Sequence, residues 1–362
     1  MNFSKIRKGL EKEIISKKLN ARINSLFLKQ LSVLLKSDIS IDKALNVIYN
    51  GHLDKKLDQS LKRVLNKIEE GKNVYESFEN EQKRFGDILI AFIQSGQESG
   101  NLAEIINDLS DFIKEEYENE NKIRQAFVYP IILMCVTFFV IVLILKFVMP
   151  NFIEIFDSMD QQLPTITLIL LQISKFVRMY GVMIFIMLVL ILIAIKILKY
   201  KEEIRFKFDK FYFFFPLFKK YRLTKIEYQI SKLMHILVKG EVEILTAMDI
   251  IKKSFKNTYL KEKLFDISKK LEEGYDISES FRQQKIFSNL LISMIEVGEN
   301  TGNLSDTLKK SAEYFSSEYL FRLKKLSEIM EPLLIIIMSV IVGFIIFSIA
   351  LPMFDSINAL NY

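Results

Sequence analysis

The stretch F-I-Q-S-G-Q-E-S-G-N-L at Phe92–Leu102 occurs a second time, as M-I-E-V-G-E-N-T-G-N-L at Met294–Leu304. An upstream pattern, E-E-G-x-x-x-x-E-S-F, is also present twice, at Glu69–Phe78 and at Glu272–Phe281. Two pairs of prolines recur 202 residues apart, Pro130 with Pro332 and Pro150 with Pro352. A repeat of this length indicates a duplicated domain, because solenoid repeats have periods of about 20 to 50 residues.

Apolar and charged residues are segregated along the chain. Half of the residues are hydrophobic (50%), yet 26% are charged, a combination typical of a membrane protein with soluble domains. Long uncharged windows occur at Gln125–Leu145, at Met179–Ile195 and between Glu331 and Asp355. Windows of about 18 or more apolar residues predict membrane-spanning helices, and we place three of them at 125–149, 176–198 and 331–354.

The charges beside these windows predict the topology. Residues 196–225 carry ten Lys and Arg against three acidic residues, whereas 151–174 carry acidic residues alone. Lys and Arg concentrate on the cytoplasmic side of membrane helices. The start of the chain mixes basic and acidic residues and lacks the apolar run of a signal peptide. We therefore expect a cytoplasmic N-terminus, with the middle helix returning the chain so that both copies lie in the cytoplasm.

The soluble copies have the pattern of amphipathic helices. Apolar residues recur at spacings of three and four from Ile23 to Leu35 and again from Ile226 to Leu237, as on the buried face of a helix. The predicted fold is an all-α membrane protein with two duplicated cytoplasmic helical bundles and three transmembrane helices. Its expected order is a basic segment at 1–22, the first bundle at 23–124, a membrane helix at 125–149, an outer loop at 150–175, the middle helix at 176–198, a basic connection at 199–225, the second bundle at 226–330, the third membrane helix at 331–354 and an outer stub at 355–362.

The glycines of the repeated motif predict a helix end followed by a turn. We expect the first glycine, Gly96 or Gly298, to end a helix in the left-handed conformation. The second glycine, Gly100 or Gly302, then allows the chain to turn. An alternative is that each turn is an exposed surface that contacts a partner.

The residues after the turn predict the start of a long helix. Asn101 or Asn303 is a preferred N-cap, and Leu102 or Leu304 begins the apolar pattern of the next helix. In the first copy this pattern continues to Met149, and Pro130 is expected to kink the helix. The prolines Pro130, Pro150, Pro332 and Pro352, together with Glu331, mark the ends of the two repeated membrane helices.

Patterns for catalysis, metal binding or cofactor binding are missing from the sequence. Gly71-Lys72 lacks the remaining residues of a phosphate loop, and His52 and His235 are each isolated. Cys135 is the single cysteine and lies in an apolar run. The net charge of +6 comes mostly from the basic connection, so we expect it to contact anionic lipid rather than nucleic acid. A small-solute transporter or channel is one alternative, and a membrane-tethered enzyme is another.

Taken together, the duplicated motif, the paired prolines and the order of domains and helices resemble the type II secretion F domain family. This family comprises the inner-membrane platform proteins of type IV pili, type II secretion systems and competence pseudopili. The second copy has the family's Gly298-Glu299, whereas the first copy has Gly96-Gln97 with Glu98 adjacent. The motif residues to which the resemblance assigns a structural or partner-binding role are Gly96, Glu98, Gly100, Asn101, Leu102, Gly298, Glu299, Gly302, Asn303 and Leu304.

The resemblance also implies a mode of action. It implies cytoplasmic domains of about six helices each, homo-oligomerisation and a location in the bacterial inner membrane. The implied partners are a hexameric secretion ATPase, pilin or pseudopilin subunits and other inner-membrane assembly proteins. The platform would be non-enzymatic and would transmit the movement of the ATPase to pilin subunits as they leave the membrane.

Overall fold

The computed structural model describes residues 19–148 and 202–360, together with residue 150 and scattered positions between 165 and 190. The basic start of the chain at 1–18 and most of the predicted outer loop and middle helix, at 150–175 and 176–198, lie outside the described residues. Throughout the described part of the chain, all regular secondary structure is helical. The predicted all-α class is therefore confirmed.

Short helices that each bury one stripe of apolar side chains make up the first segment. In the third of them, Leu57, Leu61 and Val64 follow one another at helical spacing and are fully buried. Asp54 caps this helix by accepting hydrogen bonds from the backbone N–H of Lys56 and Leu57 at 2.9 and 3.1 Å, a contact that contributes about 1 kcal/mol. The helices are α1 (Ala21–Lys36), α2 (Ile41–Asn50), α3 (Lys55–Glu69), α4 (Val74–Glu79), α5 (Gln82–Phe85), α6 (Asp87–Glu98) and α7 (Leu102–Leu143).

The helices of the second segment are α8 (Glu202–Phe214), α9 (Pro216–Lys239), α10 (Ile244–Ser254), α11 (Thr258–Glu272), α12 (Ile277–Arg282), α13 (Asn289–Thr301) and α14 (Leu304–Leu360). Helix α8 comes first, and the six helices after it follow the order of α1–α4, α6 and α7; among the described residues α5 has no counterpart. Both α3 and α11 have 15 residues, and both α4 and α12 have 6. Gly71 and Gly274, with φ of +85° and +88°, follow the ends of α3 and α11.

By its internal contacts the chain divides into two compact units. The first contains the soluble segments at 19–121 and 206–321, and the second contains 122–205 and 322–362. In the first unit, side chains from both segments contribute to one buried cluster that includes Phe27, Phe92, Tyr228 and Ile295, and α6 packs against α10. The sequence predicted two helical bundles, but it did not predict that they share a core.

Helix α7 continues without a break across Pro130. Its α-helical part ends at Leu143, and a π-helical segment follows at Ile144–Val148, so the predicted helix is present from Leu102 to Val148 with a different last turn. Pro150 lacks the N–H that an α-helix would donate to the carbonyl of Lys146, and the helix widens in the turn before it.

Helix α14 is longer than the sequence indicated. It has 57 residues, runs through Pro332 and Pro352, and ends at Leu360. Residues 355–360 of the predicted outer stub continue this helix. Proline removes one backbone hydrogen bond, but long apolar helices tolerate this loss through local adjustment of the backbone.

Among the described residues, two helices are long and apolar enough to cross a membrane, Leu102–Leu143 and Leu304–Ser348. Only 6% of the apolar window in the first helix and 12% of that in the second is buried inside the protein. Within the second unit, Ile345 of α14 is buried and packs with Ile141 and Ile144. Length and composition thus agree with two of the three predicted membrane helices, and the third, at 176–198, lies outside the described residues.

Much of the predicted basic connection is helical and packs on the second segment. Asp209 of α8 accepts hydrogen bonds from the backbone N–H and the hydroxyl of Thr258, both at 2.8 Å. Phe206 and Phe213 lie 5.9 and 5.3 Å from the ring of Tyr259, measured between centroids. This part of the connection is therefore fixed to the N-terminus of α11.

Candidate functional site

Each copy of the repeated motif forms a helix, a turn and the start of a second helix. The turn in the first copy joins Glu98, the last residue of α6, to Leu102, the first of α7. In the second copy, α13 ends at Thr301 and α14 begins at Leu304. The left-handed residues of these turns are the second glycines, Gly100 with φ of +75° and Gly302 with φ of +68°.

Gly96 and Gly298 lie inside α6 and α13, so the prediction that they end these helices in the left-handed conformation is wrong. A Cβ added to Gly96 would lie 2.9 Å from Cα of Leu102, and one added to Gly298 would lie 2.9 Å from Cα of Leu304. Since a side chain would overlap the backbone of the next helix, glycine permits the close crossing of the two helices. The requirement is one of packing and not of backbone conformation.

Glu299 caps a helix of its own segment. Its carboxylate accepts hydrogen bonds from the backbone N–H of Ile277 and from that of Ser278, the latter at 2.8 Å. These are the first residues of α12, where the N–H groups lack partners within the helix and the dipole favours a negative charge. At the equivalent position of the first copy, Gln97 is exposed, and Glu98 accepts a hydrogen bond from Gln94 at 2.9 Å. The two copies therefore differ in a structural contact.

The two asparagines directly precede α7 and α14, as predicted for N-cap positions. Their side-chain amides make other contacts. Asn303 donates to the carboxylate of Asp306 at 3.0 Å, within its own turn. Asn101 donates to the backbone carbonyl of Gly240 at 3.5 Å, in the second segment. The first-copy turn thus lies against the second segment, whereas Asn303 is exposed.

Ion pairs hold the start of α7 to the end of α9. The Lys239 ammonium lies 2.8 Å from the carboxylate of Glu104 and 2.9 Å from that of Asp108. Burial alone would raise the pKa of Asp108, but hydrogen bonds from Lys239 and Asn107 outweigh it and hold that pKa below its usual value. The carboxylate therefore stays ionised and paired at neutral pH.

Close packing completes this contact. A Cβ added to Gly240 would lie 2.3 Å from Cδ1 of Ile105, so the glycine makes room for the isoleucine. Ile105 is buried. Gly240 had no assigned role in the sequence, because the residue that it accommodates lies on the other segment.

Further along α7, Glu116 lies in a polar cluster between α7 and α9. Gln229 donates to its Oε2 at 2.8 Å, and the Lys225 ammonium lies 3.5 Å from the same oxygen. Burial raises the pKa of Glu116, although Lys225 and Gln229 act in the opposite direction. Glu116 precedes the apolar run that begins at residue 125. The cluster thus places a buried carboxylate on a helix that continues into that run.

Tyrosines and a serine link α7, α9 and α14 beside this cluster. The hydroxyls of Tyr221 and Tyr319 are 3.1 Å apart, and the rings of Tyr228 and Tyr319 stack with centroids 6.5 Å apart. Ser316 of α14 donates to the carboxylate of Glu115 on α7 at 2.8 Å. These contacts therefore join the two helices that carry the apolar runs, at positions that precede both runs.

A cavity of about 720 Å³ opens next to the cluster. Arg222 lines it and is buried; its guanidinium donates to the carbonyl of Phe215 at 2.9 Å and lies 4.0 Å from the centroid of the Tyr212 ring. Two basic residues of the predicted lipid-binding connection, Arg222 and Lys225, thus face the interior of the first unit. Exposed lysines of that connection, including Lys207 and Lys220, remain available to lipid.

The isolated histidines have ordinary local partners. His52 lies 3.0 Å from the carboxylate of Asp58, and His235 Nδ1 lies 2.9 Å from the carbonyl of Ser305. Burial lowers the pKa of His235. Among residues 19–148 and 202–360, no group of three His, Cys, Asp or Glu side chains is placed to hold a metal ion.

Sequence reasoning missed the residues that join the segments, which are Glu104, Asp108, Glu116, Lys225 and Lys239. Glu104 and Asp108 stand four residues apart, a spacing that places both side chains on one side of the helix. The position of Lys239, more than a hundred residues away, was visible only in the folded chain.

These features define a protein in which two helical segments share one buried core and two long helices carry apolar runs. Comparison with known proteins gives its family. The family described as "Type II secretion system (T2SS), protein F" matches residues 27–150 and again residues 230–352. The chain belongs to this family, and the resemblance inferred from the sequence is confirmed.

Individual relatives are similar over nearly the whole chain. The type IV pilus assembly protein PilC of Thermus thermophilus is 26% identical over 338 residues, covering 93% of this chain and 83% of its own length. The type II secretion system protein F of Aeromonas hydrophila is 25% identical, covering 93% of this chain and 87% of its own length. PilC of Pseudomonas aeruginosa is 22% identical and covers 100% of this chain and 97% of its own length.

Proposed function

We propose that this chain is the non-enzymatic inner-membrane platform of a type IV pilus or type II secretion-type pseudopilus. The observation that carries this proposal is the double match to the protein F family together with the names of its relatives, which refer to pilus assembly and to type II secretion. The platform couples a hexameric secretion ATPase in the cytoplasm to the movement of pilin or pseudopilin subunits, and it acts with other inner-membrane assembly proteins.

The contacts before the apolar runs support a mechanical role. Helices α7 and α14 each contribute to the buried core of the first unit and then continue as exposed apolar helix. Ser316 and Glu115 join them directly, and Lys225 ties α9 to α7. A displacement of the core moves both helices together, because their shared contacts are polar, partly buried and specific in direction.

We infer a three-crossing topology for this platform, with the N-terminus and both soluble segments in the cytoplasm. The exposed apolar windows of α7 and α14 support two of the crossings, and the basic residues at 196–225 support the orientation. Reporter fusions after residues 110, 160 and 280 test this topology. Cytoplasmic reporters are expected at 110 and 280 and an external reporter at 160; an external reporter at 280 excludes the topology.

The motif residues enter this proposal mainly as structural elements. Gly96 and Gly298 permit the helix crossing, and Glu299 caps α12. The first-copy turn contacts the second segment, whereas the second-copy turn at Gly302 and Asn303 is exposed. We propose that the second-copy turn is the one that remains accessible to a partner.

Deletion of the gene in the source bacterium tests the platform function. Surface filaments, filament-dependent secretion and DNA uptake are scored, and loss of at least one of them is expected. Complementation with the wild-type chain should restore it, and complementation with a chain that lacks residues 226–330 should not. Full retention of all three processes after deletion contradicts the proposal.

A further inference from the structure

Near the repeated motif the two soluble segments contact each other through different faces, whereas further along α7 and α14 they meet at Glu115 and Ser316. The first segment contributes the end of α6 and the start of α7, and the second contributes the end of α9 and α10. A two-fold arrangement would also pair α13 and α14 with α1 and α2. The contact is instead directional, so each segment has one face in the contact and one equivalent face outside it.

The face of the first segment that lies outside this contact carries exposed apolar side chains. The equivalent positions of the second segment are buried in the contact. Val33 and Val47 correspond, 203 residues apart, to Ile236 and Ile250 in the second segment. Val33 is 55% exposed and Val47 is 54% exposed, whereas Ile236 and Ile250 are 1% and 3% exposed. Since the local folds correspond, the difference in burial arises from the partner segment that covers Ile236 and Ile250.

The outside face of the second segment shows the same difference. Val297 corresponds, 202 residues apart, to Ser95 of the first segment. Val297 is 51% exposed, whereas Ser95 is 3% exposed. Thr307 is partly exposed at the position of Ile105, which is buried in the contact. The exposed face thus carries an apolar valine at the position where the covered face carries a small polar serine.

One of the two ion pairs of Lys239 has an equivalent on the outside faces, whereas the position of its second partner, Asp108, is occupied by exposed Lys310. Lys36 ends α1 as Lys239 ends α9, and Asp306 stands in α14 where Glu104 stands in α7. Lys239 and Glu104 form an ion pair at 2.8 Å within the chain. Lys36 and Asp306 are both exposed, so the same pairing is open to a second molecule.

We propose that the face formed by Val33, Lys36 and Val47 binds the face formed by Val297, Asp306 and Thr307 of a second copy of this chain. The contact that joins the segments within one molecule is then repeated between molecules. Such a head-to-tail contact generates a ring when its rotation closes and an open chain when it does not. This inference rests on the proposed function and specifies the surface for the homo-oligomerisation that the family resemblance implies.

Disulfide cross-linking of the full chain tests the geometry. Ser37 occupies the position of Gly240, and Thr307 that of Ile105, which are in close contact within the molecule. In a Cys135→Ser background, mixing the Ser37→Cys and Thr307→Cys variants in detergent or membranes should give a heterodimer on oxidation. The chain that carries both substitutions should give a ladder of higher species. The control pairs Thr307→Cys with Lys62→Cys, an exposed position on α3.

A charge exchange tests the interaction by a second route. Lys36→Glu or Asp306→Lys alone should weaken self-association by roughly two- to fivefold, the effect of an exposed ion pair. The two together should restore it, and Lys62→Glu should leave it unchanged. Sedimentation of the purified protein measures the change, and circular dichroism verifies that each variant is folded.

Cross-linking that does not exceed the Lys62→Cys control overturns the proposal. Equal dimerisation of Ser37→Cys by itself also overturns it, because that result indicates a symmetric contact. Filament assembly separates this inference from the platform function. Loss of filaments on gene deletion, with no head-to-tail cross-link, rejects the contact and leaves the platform function standing.

Discussion

Gly96 and Gly298 are glycines because the first backbone atoms of the next helix lie against them. The side chain of alanine at 298 would meet Cα of Leu304 at 2.9 Å and Oγ1 of Thr307 at 2.2 Å. The hydroxyl of Thr307 can rotate away, but the backbone of α14 cannot move without disturbing its own packing. This single position therefore determines how closely α13 and α14 cross.

We expect Gly298→Ala to destabilise the second segment by about 1–3 kcal/mol, the usual cost of overpacking. Thermal unfolding of the purified chain, followed by circular dichroism, measures it. Gly343→Ala is the matched control, because a Cβ there meets nothing within 4 Å. Equal unfolding temperatures for the two variants would contradict the packing explanation.

Because of Glu116, the stability of the folded chain is expected to depend on pH in a definite direction. Its pKa in the folded chain is raised by burial, so the folded protein binds this proton more tightly than the unfolded protein, in which the pKa is about 4.3. Stability therefore decreases as the pH rises from about 4 through the raised pKa. Glu116→Gln removes this contribution, and the wild type should become less stable relative to the variant as the pH increases.

Unfolding temperatures of both chains between pH 4 and 8 measure this difference. Glu313→Gln, at an exposed carboxylate, is the control for the loss of one negative charge. A wild-type chain that gains stability over Glu116→Gln with rising pH would show that attraction by Lys225 exceeds the effect of burial.

Helix α8 and the first turns of α9 combine exposed aromatic side chains with exposed lysines. Phe211 and Tyr212 are exposed, as are Lys207 and Lys220 on either side of them. Aromatic rings and basic side chains together are typical of a helix that lies at a membrane surface. The predicted contact with anionic lipid is therefore assigned to this exposed part of the connection and not to Arg222 or Lys225.

We expect phosphatidylglycerol to raise the unfolding temperature of the detergent-solubilised chain more than phosphatidylcholine does. Lys207→Gln combined with Lys220→Gln should reduce that difference, since each basic residue near an anionic surface contributes about 1 kcal/mol. Lys62→Gln with Lys72→Gln, two exposed lysines of the first segment, should leave the difference intact. An equal loss in both variants would exclude a specific role for this surface of α8 and α9.

Helices and their order were accessible from the sequence because periodicity and glycine positions are local signals. The stripe from Ile23 to Leu35 lies in α1, and Gly71 and Gly274 follow helix ends. The role of Gly96 was not accessible, because its requirement comes from the path of the following helix. The continuation of α14 past Pro352 was missed because proline usually ends a helix in water.

The shared core of the two segments depends on contacts across more than a hundred residues of sequence. Lys239 with Glu104 and Asp108, and Gly240 with Ile105, join the segments. Each partner has an unremarkable local sequence, so neither ion pair nor close contact was predictable from periodicity. Once the fold is known, the differing burial of equivalent positions identifies which faces are paired.

We expect Lys239→Ala to weaken the contact between the segments by about 1 kcal/mol, a value reduced by the partial solvent exposure of the lysine. The loss follows because Asp108 keeps its partly buried position without a cation. Chemical unfolding of the whole chain measures it, and the difference from wild type should shrink at high salt. Lys62→Ala is the control; an equal effect there would remove Lys239 from the contact.

The shared core also has a consequence for the order of biosynthesis. The first segment is made before the chain between Asn121 and Phe206, and the second segment only after it. Until then, Ala91, Ser95 and Ile105, which are buried in the finished protein, have no second segment to cover them. The nascent first segment therefore exposes a surface that is covered only when a second segment packs on it. That second segment can come from the same chain or from a neighbouring nascent chain. Ribosome spacing on one message then influences whether the segments pair within a chain or exchange between chains.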